Sequence, residues 1–263
     1  SAPRCFEIER KLRARLDMPV FHDDQHGTAI IVSAAILNAC KLRGTPLSDC
    51  RITINGGGAA GTAVTKLLLT LGAGDLVICD RAGAVYRGRQ QNMDFSKDEI
   101  ASLTNREQRT GQLSEVIVGS DIFIGLSVGG ALTPDMVKSM AANPIVLALA
   151  NPVPEIAPDL ARSAGALTVA TGRSDYPNQV NNSLAFPGVF RGALDCRARV
   201  VNDEMKIAAA HAIADLVEPH ELADDYLIPD SIDLRVPPRV AAAVARAAAE
   251  TGVATIAIEP AEV

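Results

Sequence analysis

Apolar residues occur along this chain in short blocks, and their spacing changes near residues 45 and 186. At positions 6–16 apolar and basic residues alternate at helical spacing, and 28–42 is apolar and rich in alanine. The first pattern predicts an amphipathic helix, and the second predicts a buried helix that ends at Gly44. The polar stretch 22–27 between them has the composition of a turn.

Between residues 45 and 185, short apolar runs alternate with helical patterns. The predicted strands are 51–54, 76–79, 121–125, 145–150 and 168–170, and the predicted helices among them are 62–71, 112–118 and 133–140. Such alternation is typical of parallel βαβ units with helices on both faces of one sheet. After residue 186 the pattern is helical, with candidates at 187–194, 204–217 and 237–249. The sequence therefore predicts an α/β fold, a doubly wound parallel sheet with flanking and C-terminal helices.

Composition narrows the class of partner. The 25 Lys and Arg against 31 Asp and Glu give a net charge of −6 without a basic block, which disfavours nucleic acid and anionic membranes. No apolar run is long enough to span a bilayer. The five cysteines are scattered and none forms C-x-x-C, a pattern typical of free thiols in a reducing compartment. We therefore expect a cytoplasmic protein that binds neither nucleic acid nor membrane.

A glycine motif follows the first predicted strand. Gly56, Gly58 and Gly61 have the G-x-G-x-x-G spacing, a predicted helix follows them, and Asp80 ends the next strand 19 residues after Gly61. In a Rossmann-like fold the first glycine permits a tight turn, the second lets the backbone approach a pyrophosphate, and the third lets helix and strand pack closely. The N–H groups that begin the helix then face the phosphates. This context favours a dinucleotide site over an ordinary turn that binds nothing.

The end of the second strand bears on the choice of dinucleotide. Asp80 can accept hydrogen bonds from the adenosine ribose hydroxyls and would repel a 2′-phosphate, which favours NAD. Arg81 beside it can compensate a phosphate charge, which favours NADP. The sequence leaves NAD and NADP open.

The acidic turn His-Asp-Asp-Gln-His at 22–26 concentrates possible metal ligands. A zinc site of the H-x3-H type requires a helix, which we expect Gly27 to end too early. A hard-metal site would instead use one carboxylate on Mg²⁺ or Mn²⁺ and the other to orient a base. A solvated loop with cap-forming aspartates is the third interpretation.

Asparagines follow the last two predicted strands. Asn151 follows the fourth, and Asn181 and Asn182 come after the fifth. Ligands of open α/β sheets bind at the carboxyl ends of strands, where an amide can both donate to and accept from a carboxylate or carboxamide. A turn-forming role beside proline is the competing interpretation.

Taken together and in order, these stretches resemble bacterial malic enzyme. They are FHDDQHGTA at 21–29, the glycine loop at 56–61, ANPVPEI at 150–156, RSDYPNQVNN at 173–182, FPGVFRG at 186–192 and DYLIP at 225–229. The resemblance implies oxidative decarboxylation of L-malate to pyruvate and CO₂ with reduction of NAD or NADP, assisted by Mg²⁺ or Mn²⁺ as a Lewis acid. It also implies a homo-oligomer.

The resemblance assigns roles by matching position. Asp24 corresponds to a metal ligand, Asp23 to the residue that orients the catalytic lysine, and residues 125–130 to a loop under the cofactor. The residues implied for substrate are Asn151 and Asn182, and those implied for the cofactor are Thr28, Gly57, Gly58, Ala59, Ala60, Asn151 and Asn181. They add to Gly56, Gly61 and Asp80, which the glycine motif had already indicated.

The resemblance also implies residues that this chain does not show. In the family a Glu-Asp pair of metal ligands precedes the segment that here begins at Ser1, and the catalytic Lys and Tyr lie in an N-terminal domain. We therefore expect one NAD(P)-binding unit, with lead-in helices and the metal turn at 1–44, the core at 45–185 and C-terminal helices at 186–263. Alone it should bind dinucleotide without oxidising malate. The alternatives are a non-catalytic dinucleotide-binding module and another NAD(P)-dependent dehydrogenase.

Overall fold

A computed structural model describes residues 2–256 of the protein, with side chains from residue 4 onward. The predicted limits at residues 1 and 263 lie outside this part. The helices in it are α1 (Ala2–Arg15), α2 (Asp23–Arg43), α3 (Ala59–Thr70), α4 (Phe95–Leu103), α5 (Leu113–Val116), α6 (Pro134–Ser139), α7 (Pro158–Ser163), α8 (Phe186–Asp195), α9 (Asp203–Ala214) and α10 (Val236–Glu250). The strands are β1 (Arg51–Asn55), β2 (Asp75–Asp80), β3 (Gly83–Ala84), β4 (Ile122–Gly125), β5 (Ile145–Ala148) and β6 (Thr168–Thr171).

The strands form one sheet in the order β3-β2-β1-β4-β5-β6. β1 pairs in parallel with β2 on one side and β4 on the other, so that Ile54 lies between Ile78 and Ile124. The chain adds β2 and β3 on one side of β1 and then β4, β5 and β6 on the other side. At such a switch point a crevice opens at the carboxyl ends of β1 and β4. The predicted α/β class and doubly wound sheet are confirmed.

β3 was not predicted from the sequence, and it departs from the expected parallel arrangement. β3 pairs antiparallel with β2, with Asp80 opposite Gly83. Only two residues separate β2 from β3, which is too short for the crossover that parallel pairing needs. Gly83 has a φ of +94°, and a Cβ there would lie 2.3 Å from the carbonyl oxygen of Gly111. The chain therefore folds straight back along the edge of the sheet.

The strands are apolar on both faces because helices cover both. Ile122 and Ile124 pack into the large core with α2 and α8–α10, whereas Phe123 between them packs into a second core with Val146 on the opposite face. Strands buried on both faces read as continuous apolar runs rather than as alternation. This explains why the short blocks 51–54, 76–79 and 145–150 were sufficient to locate strands.

The region around the acidic turn differs from its prediction. α2 begins at Asp23, with His22 as its N-cap, so that Gly27 lies inside the helix and does not end it. A Cβ at position 27 would lie 2.0 Å from Oδ1 of Asp23. A glycine at position 27 leaves room for the Asp23 side chain, which lies over the first turn of its own helix. The predicted turn at 22–27 is wrong, because residues 23–27 are helical.

One further helix boundary is shifted, and two helices were not predicted. α3 begins three residues earlier than its prediction, so the second half of the glycine motif already belongs to the helix. α4 and α7 were not predicted, although Asp94 caps α4 by accepting hydrogen bonds from the N–H groups of Ser96 at 2.9 Å and Lys97 at 3.2 Å.

Across residues 2–256 no helix combines the length and apolarity that crossing a membrane requires.

Candidate functional site

The glycine motif forms the turn between β1 and α3. Gly56 has a φ of +136°, and a Cβ there would lie 2.5 Å from the carbonyl oxygen of Leu126. A Cβ on Gly61 would lie 1.8 Å from the carbonyl oxygen of Gly56, whereas no atom lies within 4 Å of that position on Gly58. The first and third glycines are thus required by close packing, and the second leaves an open approach to the backbone.

The N-terminus of α3 has the features of an anion-binding site. Its N-cap is Gly58, which provides no side-chain hydrogen bond, and the first turn carries no acidic residue. The first N–H groups of a helix lack partners within the helix, and together with the helix dipole they favour a negative charge at this end. A pyrophosphate placed over Gly58 would meet these groups.

A cavity of about 360 Å³ lies beside this helix, at the carboxyl ends of β1, β4, β5 and β6. It brings together Asp24, Thr28, Ala60, Asn151 and Asn182 with Leu126 and Ser127 of the loop at 125–130. Its other lining residues are Ile31, Leu149, Ala150, Gly172 and Val180. Four separate stretches of sequence, at 24–31, 126–127, 149–151 and 172–182, therefore meet the glycine loop at 56–61 in one cleft, which we call the central cleft.

The two aspartates of the acidic turn are in different environments. Asp23 accepts a hydrogen bond from Nδ2 of Asn182, and its Oδ1 is buried without a partner. Burial, and secondarily the charge of Asp24, raises the pKa of Asp23. Asp24 lines the central cleft, and its carboxylate forms no hydrogen bond or ion pair with the described residues. Asp24 is therefore the carboxylate that is available to a ligand.

A hard divalent cation fits this arrangement in part. Asp24 offers the oxygen ligand that Mg²⁺ and Mn²⁺ prefer. Within residues 2–256, however, no group of three His, Cys, Asp or Glu side chains could hold a metal ion. The remaining ligands would have to come from substrate, water or residues outside the described part.

Of the two histidines of the acidic turn, His22 is the N-cap of α2 and His26 faces a cavity other than the central cleft. Nε2 of His26 lies 2.6 Å from Oε1 of Glu9, and Gln25 donates from Nε2 to Oε2 of Glu9 at 2.9 Å. Burial lowers the pKa of His26. These groups line a separate cavity of about 380 Å³ between α1, α2, α3 and α9. The zinc interpretation is not supported, since His26 is engaged by Glu9 and points into a different cavity from Asp24.

Asp80 lies at the end of β2 in a dense ion-pair network that the sequence did not reveal. Its carboxylate accepts two hydrogen bonds from Arg89, at 2.9 and 2.7 Å, and one each from Lys97 at 2.7 Å and Asn92 at 2.9 Å. Burial alone would raise the pKa of Asp80, but the bonds from Arg89 and Lys97 outweigh it and hold the value at about 2. Arg81 is exposed and donates to Asn92 at 3.4 Å. A ribose hydroxyl would therefore meet a carboxylate whose oxygens already accept several bonds.

This network adjoins the glycine loop at 56–61. A Cβ on Gly57 would lie 3.4 Å from Cε of Lys97 and 3.5 Å from Cβ of Asp80. Lys97 is on α4, a helix that was not predicted, and no local sequence signal indicated its contact with Asp80. Arg89 and Lys97 both pair with Asp80, and Arg81 follows it in the chain. These three cations outnumber the single carboxylate of Asp80, although Asp80 alone suggested a negative region.

The asparagines are used in different ways. Asn151 and Asn182 line the central cleft. Asn181 caps a 3₁₀ turn (Asn182–Leu184), where its Oδ1 accepts from the N–H of Ser183 at 3.0 Å, and it is not among the cleft-lining residues that the structure describes. Ser127 also lines the cleft and accepts a hydrogen bond on its Oγ from Nδ2 of Asn55 at 2.8 Å, a contact that the sequence gave no means of predicting.

Comparison with known proteins identifies the family to which this site belongs. Residues 25–249 match the family described as "Malic enzyme, NAD binding domain". The "Bifunctional malic/malolactic enzyme" of Bacillus subtilis (strain 168) is 57% identical over 263 residues, which cover 100% of this chain and 64% of that protein. The "NADP-dependent malic enzyme" of Haemophilus influenzae is 51% identical over 271 residues, covering 97% of this chain and 35% of that protein.

A solved structure agrees with these matches. The crystal structure of an NAD-dependent malic enzyme from Thermotoga maritima superposes with a TM-score of 0.89 at 45% identity, covering 93% of this chain and 64% of that one. The chain thus spans less than two thirds of the length of these relatives. Their names include both NAD and NADP.

Proposed function

The chain belongs to the malic enzyme family, and from this premise we propose that the whole protein oxidises and decarboxylates L-malate to pyruvate and CO₂ with NAD or NADP. This chain is the NAD-binding part. The observation that carries the proposal is the central cleft, which places Asp24, Asn151 and Asn182 beside the uncapped N-terminus of α3. Groups suited to a metal, a carboxylate and a dinucleotide phosphate thus face one space.

We propose the following roles for the cofactor site. The loop Gly56, Gly57, Gly58, Ala59, Ala60, Gly61 binds the pyrophosphate through backbone N–H groups and the dipole of α3. Asp80 and the cations around it bind the adenosine ribose and, in NADP, its 2′-phosphate. Thr28, Asn151 and Asn181 contact the nicotinamide half, for which the support is the place of Thr28 and Asn151 in the cleft and of Asn181 next to Asn182.

We propose that Asp24 holds the divalent cation and that Asp23 acts on a neighbouring base. When bound, Mg²⁺ or Mn²⁺ supplies Lewis-acid stabilisation of the negative charge that develops on the substrate oxygen. Asp23 is held by Asn182, which lines the cleft, so its carboxylate is fixed beside Asp24, where it can orient a lysine. Asn151 and Asn182 offer amide donors to the carboxylates of malate.

The lining of the central cleft contains no lysine or tyrosine among the described residues. We therefore propose that the catalytic base belongs to an N-terminal malic enzyme domain and that this chain alone binds dinucleotide without oxidising malate. The exposed apolar side chains of Ile8 and Leu12 on α1, and of Leu16 directly after it, support a contact of this segment with further polypeptide.

We propose that the segments 1–44, 45–185 and 186–263 act as one cofactor-binding unit, and that the whole protein is a cytoplasmic homo-oligomer. The support for the unit is packing, because α2 of the first segment packs in one core with α3 of the second and α9 of the third. Light scattering of the whole protein would measure its oligomeric state.

The test is to mix the purified chain with malate, Mn²⁺ and either NAD or NADP. Reduced cofactor is followed by absorbance, and dinucleotide binding is followed in parallel by calorimetry. We expect binding without turnover. Turnover would place a base and a full metal site within these residues and contradict the proposed need for a second domain. Absence of binding to a folded chain would contradict the proposed cofactor site.

A further inference from the structure

Glu155 is a fully buried carboxylate outside the site described so far. It is 0% exposed and follows β5 in the segment that leads to α7. No Lys, Arg or His side chain of the described residues forms an ion pair with it. A buried charge without a cation is costly unless hydrogen bonds replace its hydration.

Those hydrogen bonds come from two backbone groups. Oε1 of Glu155 accepts from the N–H of Ser127 at 2.9 Å, and Oε2 accepts from the N–H of Ala150 at 3.0 Å. Ser127 follows β4 and Ala150 follows β5, and both residues line the central cleft. The carboxylate therefore ties together the ends of two neighbouring strands underneath the cleft.

The connection extends to a third strand and to a third loop. Asn55 at the end of β1 donates to the hydroxyl of Ser127 at 2.8 Å. On the other side, the carbonyl oxygen of Glu155 accepts from the N–H of Leu132 at 3.0 Å. A single residue thus links, directly or through Ser127, the ends of β1, β4 and β5, where the dinucleotide site lies.

The space around the carboxylate is closely fitted. A Cβ on Gly125 would lie 2.3 Å from the carboxyl carbon of Glu155 and 2.6 Å from each of its oxygens. Gly125 is the last residue of β4, so the absence of a side chain there is what admits the carboxylate between the two strand ends. The carboxylate has one position in which both backbone bonds are made.

We propose that Glu155 is a positioning residue of the dinucleotide site, which fixes the loops after β4 and β5 so that Ser127 and Asn151 face the cofactor. The inference rests on the proposed dinucleotide site. Glu155 lies beneath the lining and does not itself line the central cleft. It acts through the two backbone N–H groups that it accepts from.

Protonation offers a way to separate positioning from mere structural support. Burial raises the pKa of Glu155, although the N–H groups of Ser127 and Ala150 act against this. The titratable side chains that share a cavity with Glu155 on its outer side are Arg173 and Tyr176, and Arg173 is paired with Asp175 at 2.6 Å. A protonated carboxyl loses one of its hydrogen-bond acceptors. Because the pKa of Glu155 is raised, the loops after β4 and β5 should loosen at a higher pH than they would around a glutamate with an ordinary pKa.

The experiment compares Glu155→Gln with a matched control, Glu115→Gln, in the 263-residue chain. Gln can accept only one of the two N–H groups and presents an NH₂ to the other. Glu115 likewise accepts a backbone N–H, from Gln112 at 2.7 Å, and lies against a glycine, but it is on α5 and exposed. We expect the Kd for NAD or NADP to rise about tenfold in E155Q and to stay unchanged in E115Q.

The second readout is the pH dependence of the dinucleotide Kd between pH 8 and pH 5. We expect affinity to fall towards pH 5 in the wild type and to depend less on pH in E155Q. A folded E155Q that binds like the wild type overturns the proposal, as does a wild-type Kd that is constant over this range, even if E155Q fails to fold. Failure of the proposed dinucleotide site would look different, because the wild-type chain itself would then not bind NAD or NADP at any pH.

Discussion

The side-chain amide of Asn182 donates a hydrogen bond to the carboxylate of Asp23, 159 positions earlier in the chain. This bond joins the first turn of α2 to the 3₁₀ turn before α8. It also gives two adjacent aspartates different environments, since Asp23 is held while the side chain of Asp24 faces the central cleft without a partner among the described residues. The proposed metal ligand and the residue proposed to orient a base are thereby set side by side.

Removal of that amide should destabilise the chain. In Asn182→Ala the buried carboxylate of Asp23 loses its hydrogen-bond donor, and we expect the free energy of unfolding to fall by about 2 kcal/mol. Ser183→Ala, one position away, removes a hydroxyl that makes no hydrogen bond in the described structure and should change stability by less than about 0.5 kcal/mol. Urea denaturation of both variants measures this, and equal losses would contradict a specific role for the Asn182 bond.

The glycines of the phosphate loop should respond differently to alanine. Gly61→Ala places a methyl group 1.8 Å from the carbonyl oxygen of Gly56, so the fold should lose about 2 kcal/mol or more. Gly58→Ala meets no atom within 4 Å and should cost less than about 1 kcal/mol as an N-cap change. Its methyl group would nevertheless obstruct a pyrophosphate. Calorimetry should therefore show weaker dinucleotide binding in a stable G58A chain, and unchanged binding would count against the phosphate site.

Two variants at the end of β2 should separate the two dinucleotides. Asp80→Ala removes the acceptor for the ribose hydroxyls and should weaken NAD much more than NADP. Lys97→Gln removes one of the cations beside that position and should weaken NADP about tenfold more than NAD. Lys66→Gln is the control, because Lys66 is an exposed lysine on α3 that pairs with Glu99 at 2.7 Å. Equal losses for both dinucleotides in D80A would contradict the assignment of this region to the ribose.

The ion pairs of Asp80 should also give stability a defined pH dependence. Its pKa of about 2 in the folded chain lies below its ordinary value of 3.8, so the folded state holds its proton less tightly than the unfolded state. The stabilisation is therefore fully present above about pH 4 and is lost as the pH falls through about 2. The pH-dependent part amounts to about 2 kcal/mol. The stability difference between wild type and Asp80→Asn should be constant from pH 5 to 7 and shrink below pH 4; a difference that persists to pH 2 would contradict this cause.

The sequence by itself determined the fold class, the order of its principal elements and the family. Strands covered on both faces appear as uninterrupted apolar runs, and the spacing of the glycines at 56, 58 and 61 after a strand and before a helix can be recognised without the structure. The resemblance to bacterial malic enzyme rested on several motifs in order, and it is confirmed over residues 25–249. The assignments of individual site residues remain predictions.

Only the tertiary structure decided which side chains meet. Whether Asp23 or Asp24 faces the cleft depends on Asn182, and whether Asp80 is free depends on Arg89 and Lys97, which lie 9 and 17 positions away. Glu155 reads as an ordinary polar residue after a proline, yet it is fully buried between two strand ends. Local spacing records backbone preference and burial, whereas the partner of a charged side chain is set by how distant segments pack, which a single sequence does not encode in any local pattern.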